Sequence, residues 1–261
     1  MRKPPRNRGY DSGKLGRKNA RLAEKLAILY EDDGVVALNK PAGLLAVPVP
    51  GSDQPSALSL LCAALKRKRQ RAFVVHRIDR FASGILLFAK SEPDRDAMVR
   101  QFLGHTPVRE YLAVLRGHIL GADLGGKDSR VNEATLIHYF RREGMFQELT
   151  TGSDREAARA ELRYRVERRL RAASLVRVTL MTGLQNQIRV QFAAIGHPVI
   201  GDRKYHPAEA SERRIARVAL HAAHLEFIHP RSGKKVSVDC ELPPDFQSLV
   251  RALSPPERPR R

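Results

Sequence analysis

Short apolar runs separated by polar turns fill the chain between residues 27 and 253. Most of these runs have the length of β-strands, and Gly, Pro, Asn or Asp stand in many of the intervening turns, which favours strands. The pattern predicts strands at Val35–Asn39, Phe73–Val75, Ile85–Ala89, Tyr111–Leu115, Glu133–Phe140, Ala160–Val166, Leu175–Met181, Leu220–Phe227 and Lys235–Asp239. The last two of these strands are predicted to form a hairpin.

Helices are predicted in fewer places. Residues 55–65 and 93–103 suit short helices, the second with a proline in its first turn, where proline is tolerated. After Asn186, a residue type that caps helices, apolar side chains recur at i, i+4 and i+7 until Gly196. A last short helix is predicted from Pro243, and residues 121–132 suit a surface loop. Many strands with few helices and no regular alternation favour an α+β fold over a doubly wound sheet.

The charge of the chain indicates a polyanionic partner. The 261 residues carry 47 Lys and Arg against 28 Asp and Glu, a formal net charge of +19. Such an excess favours RNA or DNA, because each phosphate contact releases counterions, although an Arg-rich codon usage would produce the same balance. Residues 1–26 and 254–261 are predicted to be disordered basic arms, with residues 27–253 as one domain; the arms either bind phosphate or only aid solubility.

Several classes of protein are disfavoured. Cys62 and Cys240 have no paired spacing, which argues against a disulfide framework and a Cys-rich zinc site. His221 and His224 lack a partner cluster, so they are predicted to be structural and no metal site is expected. No apolar run approaches the roughly 18 residues of a membrane helix, and no secretory signal begins the chain, so a cytoplasmic protein is predicted.

The segment from Phe73 to Lys90 carries the most informative chemistry. An apolar run leads into His76-Arg77-Ile78-Asp79-Arg80, and Ser83-Gly84 precedes a second apolar run. Asp79 therefore lies between two predicted strands and between two arginines, where the phosphate backbone of a substrate could approach. A catalytic carboxylate and a structural aspartate paired to an arginine both fit this pattern.

His76–Arg80 with the Ser-Gly turn resembles the catalytic signature of the RluA-type RNA pseudouridine synthases. Three further blocks resemble this family in the same order, and together the resemblance covers roughly residues 28–246: Val35–Leu45, Thr182–Tyr205, and Leu220–Pro230 with Leu242-Pro243. The chain departs from the family at five positions, one of which is Gln185, where the family usually has Thr. Ile78 replaces the usual Leu and Ala82 the usual Thr, while Leu184 and Asn186 stand where the family usually has Arg and His.

The resemblance implies a mixed, largely antiparallel sheet flanked by helices and a set of site residues. Asp79 would be the essential carboxylate, Tyr111 would stack on the target uracil, and Arg189 would pair with Asp79. Arg77 would fill the space left by the extruded base. Further RNA contacts are predicted at Arg80, Lys40, Gln187 and the basic run Lys66, Arg67, Lys68 and Arg69. Lys40 also suits a purely structural place at the edge of a turn.

The implied reaction isomerises uridine to pseudouridine in ribosomal or transfer RNA. It adds no group, so no cofactor or metal is expected. The carboxylate would attack C1′ or C6 or take the C2′ proton, and the sequence leaves these routes open. Two rival functions also stay open, a catalytically silent RNA-binding or ribosome-associated protein and an Asp-dependent nucleoside hydrolase. No obligatory protein partner is indicated, and a monomer is the default expectation.

Overall fold

The computed structural model describes residues 26–66, 68–124, 130–143, 146–205 and 214–255. The predicted basic arm at residues 1–26 and the tail at residues 254–261 fall almost wholly outside these ranges, as does Arg67. No helix in the described ranges is long and apolar enough to cross a membrane.

A single mixed sheet organises the described residues. Its main path runs β1-β2-β4-β10-β5-β9-β8-β6-β7, while β3 pairs with β4 and β11 with β10. The β4–β10 pair is parallel, and the other pairs formed by these strands are antiparallel. The strands are β1 Ala27–Glu31, β2 Val35–Lys40, β3 Phe73–Val74, β4 Ser83–Ala89, β5 Val108–Arg116, β6 Glu133–Glu143, β7 Phe146–Thr150, β8 Ala158–Leu170, β9 Ala173–Leu180, β10 Leu220–Ile228 and β11 Lys235–Asp239.

Helices cover parts of this sheet. They are α1 Ala57–Lys66, α2 Glu92–Leu103, α3 Gln187–Ala194 and α4 Pro244–Leu253, with a short 3-10 helix at Gly121–Leu124. α2 begins as its sequence predicts, because the Ser91 side chain accepts a hydrogen bond from the backbone N–H of Asp94, and Pro93 has no backbone N–H that would need an acceptor. α4 buries a stripe at i, i+3, i+4 and i+7, formed by Phe246, Leu249, Val250 and Leu253.

The continuous apolar runs of β2 and β4 follow from burial on both faces. In β2, Val36 and Leu38 pack with α1, while Val35 and Ala37 face the main core on the opposite side. β4 repeats this division, and every one of its seven residues is buried. A strand buried on both faces needs no polar alternation. These two strands therefore form a rigid base for the polar segment that precedes β4.

The predicted fold class is confirmed, because the sheet is mixed, largely antiparallel and flanked by helices. Most predicted strands are present but extend beyond their apolar runs. The sequence prediction missed β1 and β7, and it assigned a loop where the 3-10 helix stands. β1 pairs with β2 through a register shift between Ile28 and Tyr30, which breaks the alternation that marks a strand.

Candidate active site

A cleft of about 540 Å³ opens where the segment between β3 and β4 faces β5 and the start of α3. Asp79 and Arg77 line the cleft from the segment between β3 and β4. Tyr111 lines it from β5, and Arg189 lines it from α3. The segment 182–186 closes the remaining wall. Residues far apart in the chain thus meet at one site.

Asp79 begins a tight turn at the edge of the cleft. The backbone N–H of Ala82 donates to its carbonyl oxygen at 3.2 Å, and the Asp79 side chain keeps 24% of its surface exposed. After the turn the chain enters β4 at Ser83 and Gly84. Gly84 has φ +108°, and a Cβ there would lie 2.1 Å from the carbonyl oxygen of Ala222. Glycine therefore allows β10 to pack directly against the base of the turn.

Lys40 donates hydrogen bonds to the backbone of this turn, and its predicted contact with RNA is wrong. The side chain is fully buried, so no phosphate can reach it. Its Nζ lies within 3.1 Å of four backbone carbonyl oxygens, those of Pro41, Leu44, Arg80 and Ala82. Burial lowers the pKa of Lys40 to about 7, while the Asp79 carboxylate opposes this shift. The ammonium group ties the loop after β2 to the turn that carries Asp79.

Lys40→Met should loosen that turn. Methionine preserves the volume but leaves the buried carbonyl oxygens without a donor, so we expect a loss of about 2 kcal/mol in unfolding free energy. Urea denaturation measures this loss, and Lys68→Met provides the control because Lys68 is exposed and should change stability by less than about 0.5 kcal/mol. Equal stability of the two variants would contradict the assigned role of Lys40.

Arg189 binds two carboxylates in one network. Its Nε and Nη2 donate to the two oxygens of Asp202, both at 2.7 Å, and Nη1 donates to Asn186 Oδ1 at 2.7 Å and to Asp79 Oδ2 at 3.2 Å. The Asp202 side chain is only 1% exposed. Burial raises the pKa of Asp202, but the hydrogen bonds and charge of Arg189 outweigh burial and lower it. Asp202 therefore fixes the guanidinium, which presents its remaining edge to Asp79.

The motif departure at Asn186 is part of this network. Asn186 has φ 55°, a left-handed conformation that asparagine tolerates better than most residues. Its Nδ2 donates to the Tyr205 hydroxyl at 3.0 Å, and its Oδ1 accepts from Arg189. The prediction that its side chain caps α3 is wrong, because the amide is engaged in these contacts. Leu184, the other departure, packs with Phe140, Ala160, Val190 and Tyr205.

Gln187 is buried, and its predicted contact with RNA is also wrong. Only 2% of its surface is exposed, and its amide is fully engaged by the protein. Its Oε1 accepts from Thr182 Oγ1 and from the backbone N–H of Leu184, while its Nε2 donates to the Glu161 carbonyl and to Gln191 Oε1. These bonds attach the cleft wall to β8.

Tyr111 lies on β5 and is 9% exposed. Burial raises its pKa to about 12, so the phenol stays protonated at neutral pH. Close by, the His76 ring stacks on Phe102 with centroids 4.5 Å apart. His76 Nε2 accepts from the backbone N–H of Leu87, and burial lowers the pKa of His76 to about 3, so this ring is neutral. Apolar and aromatic groups thus form much of the cleft wall.

The exposed basic residues are distributed unevenly around this site. Arg77 is exposed and lines the cleft, whereas Arg80 is exposed and donates from Nε to the Gly43 carbonyl at 3.0 Å. Lys66, Lys68 and Arg69 are exposed but do not line the cleft. Lys68 instead lies 3.4 Å from Glu31 on β1. Any RNA contact made by these three residues would therefore lie outside the cleft.

The sequence prediction missed two residues of the site. Asp202 was missed because it stands 13 positions after Arg189 in a loop and carries no motif of its own. Arg109 was missed because an arginine on a strand reads as a solvent-exposed charge. Arg109 is instead only 7% exposed, and it lines the cleft. The triplet Arg109-Glu110-Tyr111 offered a signal, because residues two apart on a strand share a face. Arg109 therefore faces the same side of the strand as Tyr111, which was predicted to be a site residue.

The cleft, with its carboxylate and its fixed arginine, is typical of an enzyme, and comparison with known proteins identifies the family. A profile described as RNA pseudouridylate synthase matches residues 34–194, and the chain belongs to this family, an isomerase class. The resemblance drawn from the four sequence blocks is therefore confirmed. Among solved structures, human RNA pseudouridylate synthase domain containing 4 has a TM-score of 0.73, covers 90% of this chain and 97% of that chain, and is 20% identical, which shows a shared fold.

Individual relatives are more similar in sequence. The chain is 35% identical over 240 residues to ribosomal large subunit pseudouridine synthase D of Zymomonas mobilis, an alignment that covers 87% of this chain and 73% of the relative. It is 34% identical over 233 residues to the uncharacterized RNA pseudouridine synthase YlyB of Bacillus subtilis, with the same coverage of both chains.

Proposed function

We propose that this chain isomerises specific uridines to pseudouridine in ribosomal RNA, with Asp79 as the catalytic carboxylate. The observation that carries this proposal is the position of Asp79, at the edge of a cleft and 3.2 Å from an arginine that is itself fixed by a buried aspartate. The choice of ribosomal RNA is supported by the names of the similar synthases, and transfer RNA is the other substrate to test.

Each group in the cleft has a part in the proposed chemistry. A uracil inside a folded RNA must leave its stack before the N1–C1′ bond can be reached, and the Tyr111 ring offers a surface for the extruded base. The Asp79 carboxylate attacks C1′ or C6 or removes the C2′ proton, and the hydrogen bond from Arg189 orients it. The N1–C1′ bond breaks, the base turns and C5 joins C1′. Any bond or proton that Asp79 took is given back, C5 loses its proton to solvent and N1 gains one. Arg77, which is exposed and lines the cleft, fills the gap in the RNA stack in this proposal.

Mapping of pseudouridine in cells with and without the gene tests this proposal. Carbodiimide labelling followed by primer extension produces a stop at each pseudouridine. We expect one or more stops to vanish from ribosomal RNA on deletion and to return with the wild-type gene but not with Asp79→Asn. Unchanged maps of ribosomal and transfer RNA in expressing cells would favour the silent RNA-binding protein, which the departures at Leu184 and Asn186 also suggest.

Tyr111→Phe and Tyr111→Leu separate the ring from its hydroxyl. If stacking is the main contribution, Phe should keep turnover within about 10-fold, whereas Leu should lose on the order of 100-fold, since stacking of a base on an aromatic ring is worth about 1–3 kcal/mol. Single-turnover rates on the identified RNA measure both effects. A large loss in Tyr111→Phe would instead assign a proton-transfer role to the hydroxyl.

The basic run offers a test of RNA binding outside the cleft. Triple replacement of Lys66, Lys68 and Arg69 by Ala should weaken RNA binding. It should also flatten the slope of log affinity against log salt by up to about 0.9 for each phosphate that the variant no longer binds. Replacement of three exposed arginines on β8, Arg163, Arg165 and Arg168, is the charge-matched control. An unchanged slope in the first variant would exclude phosphate binding by this run.

A further inference from the structure

Arg109 is a buried cation that has no counter-ion in the part of the chain that the structure describes. It is 7% exposed, its Nη2 donates to the Leu180 carbonyl at 3.3 Å, and its Nε is buried without an acceptor. Among the described residues no carboxylate forms an ion pair with it. Burying an unpaired guanidinium costs several kcal/mol, so the arrangement is unfavourable in the free protein.

The surroundings hold this guanidinium in one place. It lies 5.9 Å from the centroid of the Phe102 ring, which is fixed in turn by its stack with His76. On the other side a Cβ at Gly183 would lie 2.7 Å from Nη1, so a glycine is needed for this placement. Arg109 also shares a face of β5 with Tyr111, and both residues line the cleft. A directional donor is thus held inside the space that would receive an extruded base.

We propose that Arg109 donates a hydrogen bond to the O4 carbonyl of the extruded uracil and thereby selects uracil over cytosine. This inference rests on the proposed function. Because Arg109 is buried, its guanidinium lies deeper than a phosphate of the RNA backbone would reach. Uracil offers an oxygen acceptor at position 4, whereas cytosine offers an amino donor there. An arginine only donates, so cytosine would set donor against donor and leave a buried polar group unpaired.

The test replaces the acceptor atom in the RNA. Single-turnover rates are measured on the identified target RNA carrying either uridine or 4-thiouridine at the modified position, because sulfur accepts hydrogen bonds poorly. Wild type should prefer uridine by about 10-fold, which corresponds to one hydrogen bond of about 1.4 kcal/mol. Arg109→Met should react slowly with both RNAs and show a ratio near one. Arg177→Met, which loses an arginine paired to Glu110 and Glu167 outside the cleft, should keep the wild-type ratio.

Gly183→Ala provides a second variant that retains the arginine. Its new methyl group should displace Nη1 and reduce the ratio in the same direction, even if Arg109→Met folds poorly. The inference is overturned if wild type reacts equally with both RNAs, or if both variants keep the wild-type preference. If Arg109→Met lowers the slope of log RNA affinity against log salt but keeps the ratio of the uridine rate to the 4-thiouridine rate, Arg109 binds a phosphate. That result would overturn the inference as well. An inactive wild type would overturn the proposed function, and this inference with it.

Discussion

Asp79→Asn should lower the rate of pseudouridine formation by at least about 10³-fold, because an amide neither attacks carbon nor accepts a proton as a carboxylate does. The substitution preserves the shape of the side chain. Arg189 keeps its bonds to Asp202 and Asn186, so we expect the unfolding free energy to change by less than about 1 kcal/mol. Release of tritium from RNA labelled at C5 of uridine measures turnover, since the isomerisation exchanges this C–H bond for the new C–C bond.

Asp53→Asn is the matched control for this result. Asp53 is exposed in the loop before α1 and does not line the cleft, so its replacement removes the same charge without touching the site. RNA binding should persist in both variants. Turnover by Asp79→Asn at a tenth of the wild-type rate or more would exclude Asp79 as the catalytic carboxylate and would reopen the search for another residue.

Asp202→Asn should have the largest effect on stability. The amide presents an N–H group to the guanidinium of Arg189 where a carboxylate oxygen accepted before, and it leaves the buried cation with only the partly exposed Asp79 as a counter-ion. We expect a loss of about 3–5 kcal/mol in unfolding free energy, measured by urea denaturation. Turnover should fall as well at temperatures where the variant is folded, because Arg189 would lose the partner that orients it toward Asp79.

The pH dependence of the unfolding free energy in acid provides a second test of the ion pair between Asp202 and Arg189. The folded-state pKa of Asp202 is lowered, so the stability that it contributes is fully present above its unfolded pKa of about 4 and is lost as the pH falls below that value. Asp202→Asn should therefore lose less stability than wild type between about pH 4 and pH 3. An equal loss in the two proteins over this interval would contradict the assignment.

The Arg217–Asp245 pair supplies a control with similar geometry. Arg217 donates from Nε and Nη2 to the two oxygens of Asp245 at 2.7 and 2.9 Å, but the Asp245 side chain is 49% exposed. Water therefore compensates for much of the interaction that is lost when this carboxylate is replaced. Asp245→Asn should lower the unfolding free energy by no more than about 1 kcal/mol. Similar losses in Asp202→Asn and Asp245→Asn would show that burial does not decide the cost.

The sequence predicted those parts of the site that are local in the chain. Asp79 was found because the apolar runs on both sides of it form β3 and β4, and the fold class followed from the same pattern of runs. The partners of each polar side chain were less accessible. Lys40 and Gln187 have residue types that are usually exposed, and their burial depends on carbonyl groups and amides supplied by distant loops.

Asp202 and Arg109 were missed as site residues for a related reason. Neither stands in a segment whose periodicity marks it as special, and their importance follows from a single long-range neighbour or from the lack of one. Apolar periodicity reports which face of an element is buried, but it does not report which buried charge meets which. The roles assigned to Asp79, Tyr111 and Arg189 in catalysis remain predictions for the experiments described above.

The position of β10 in the sheet has a consequence for protein synthesis. β10 lies between β4 and β5, so the strands that carry the two sides of the cleft are separated by a segment made more than 100 residues later than β5. During translation the ribosome must release residue 228 before Asp79 and Tyr111 can take their final positions. Until then the edge of β5 and the start of β4 that pair with β10 stay unpaired, and such edges are prone to aggregate. Nascent chains that stall before β10 should therefore be inactive and depend on chaperones.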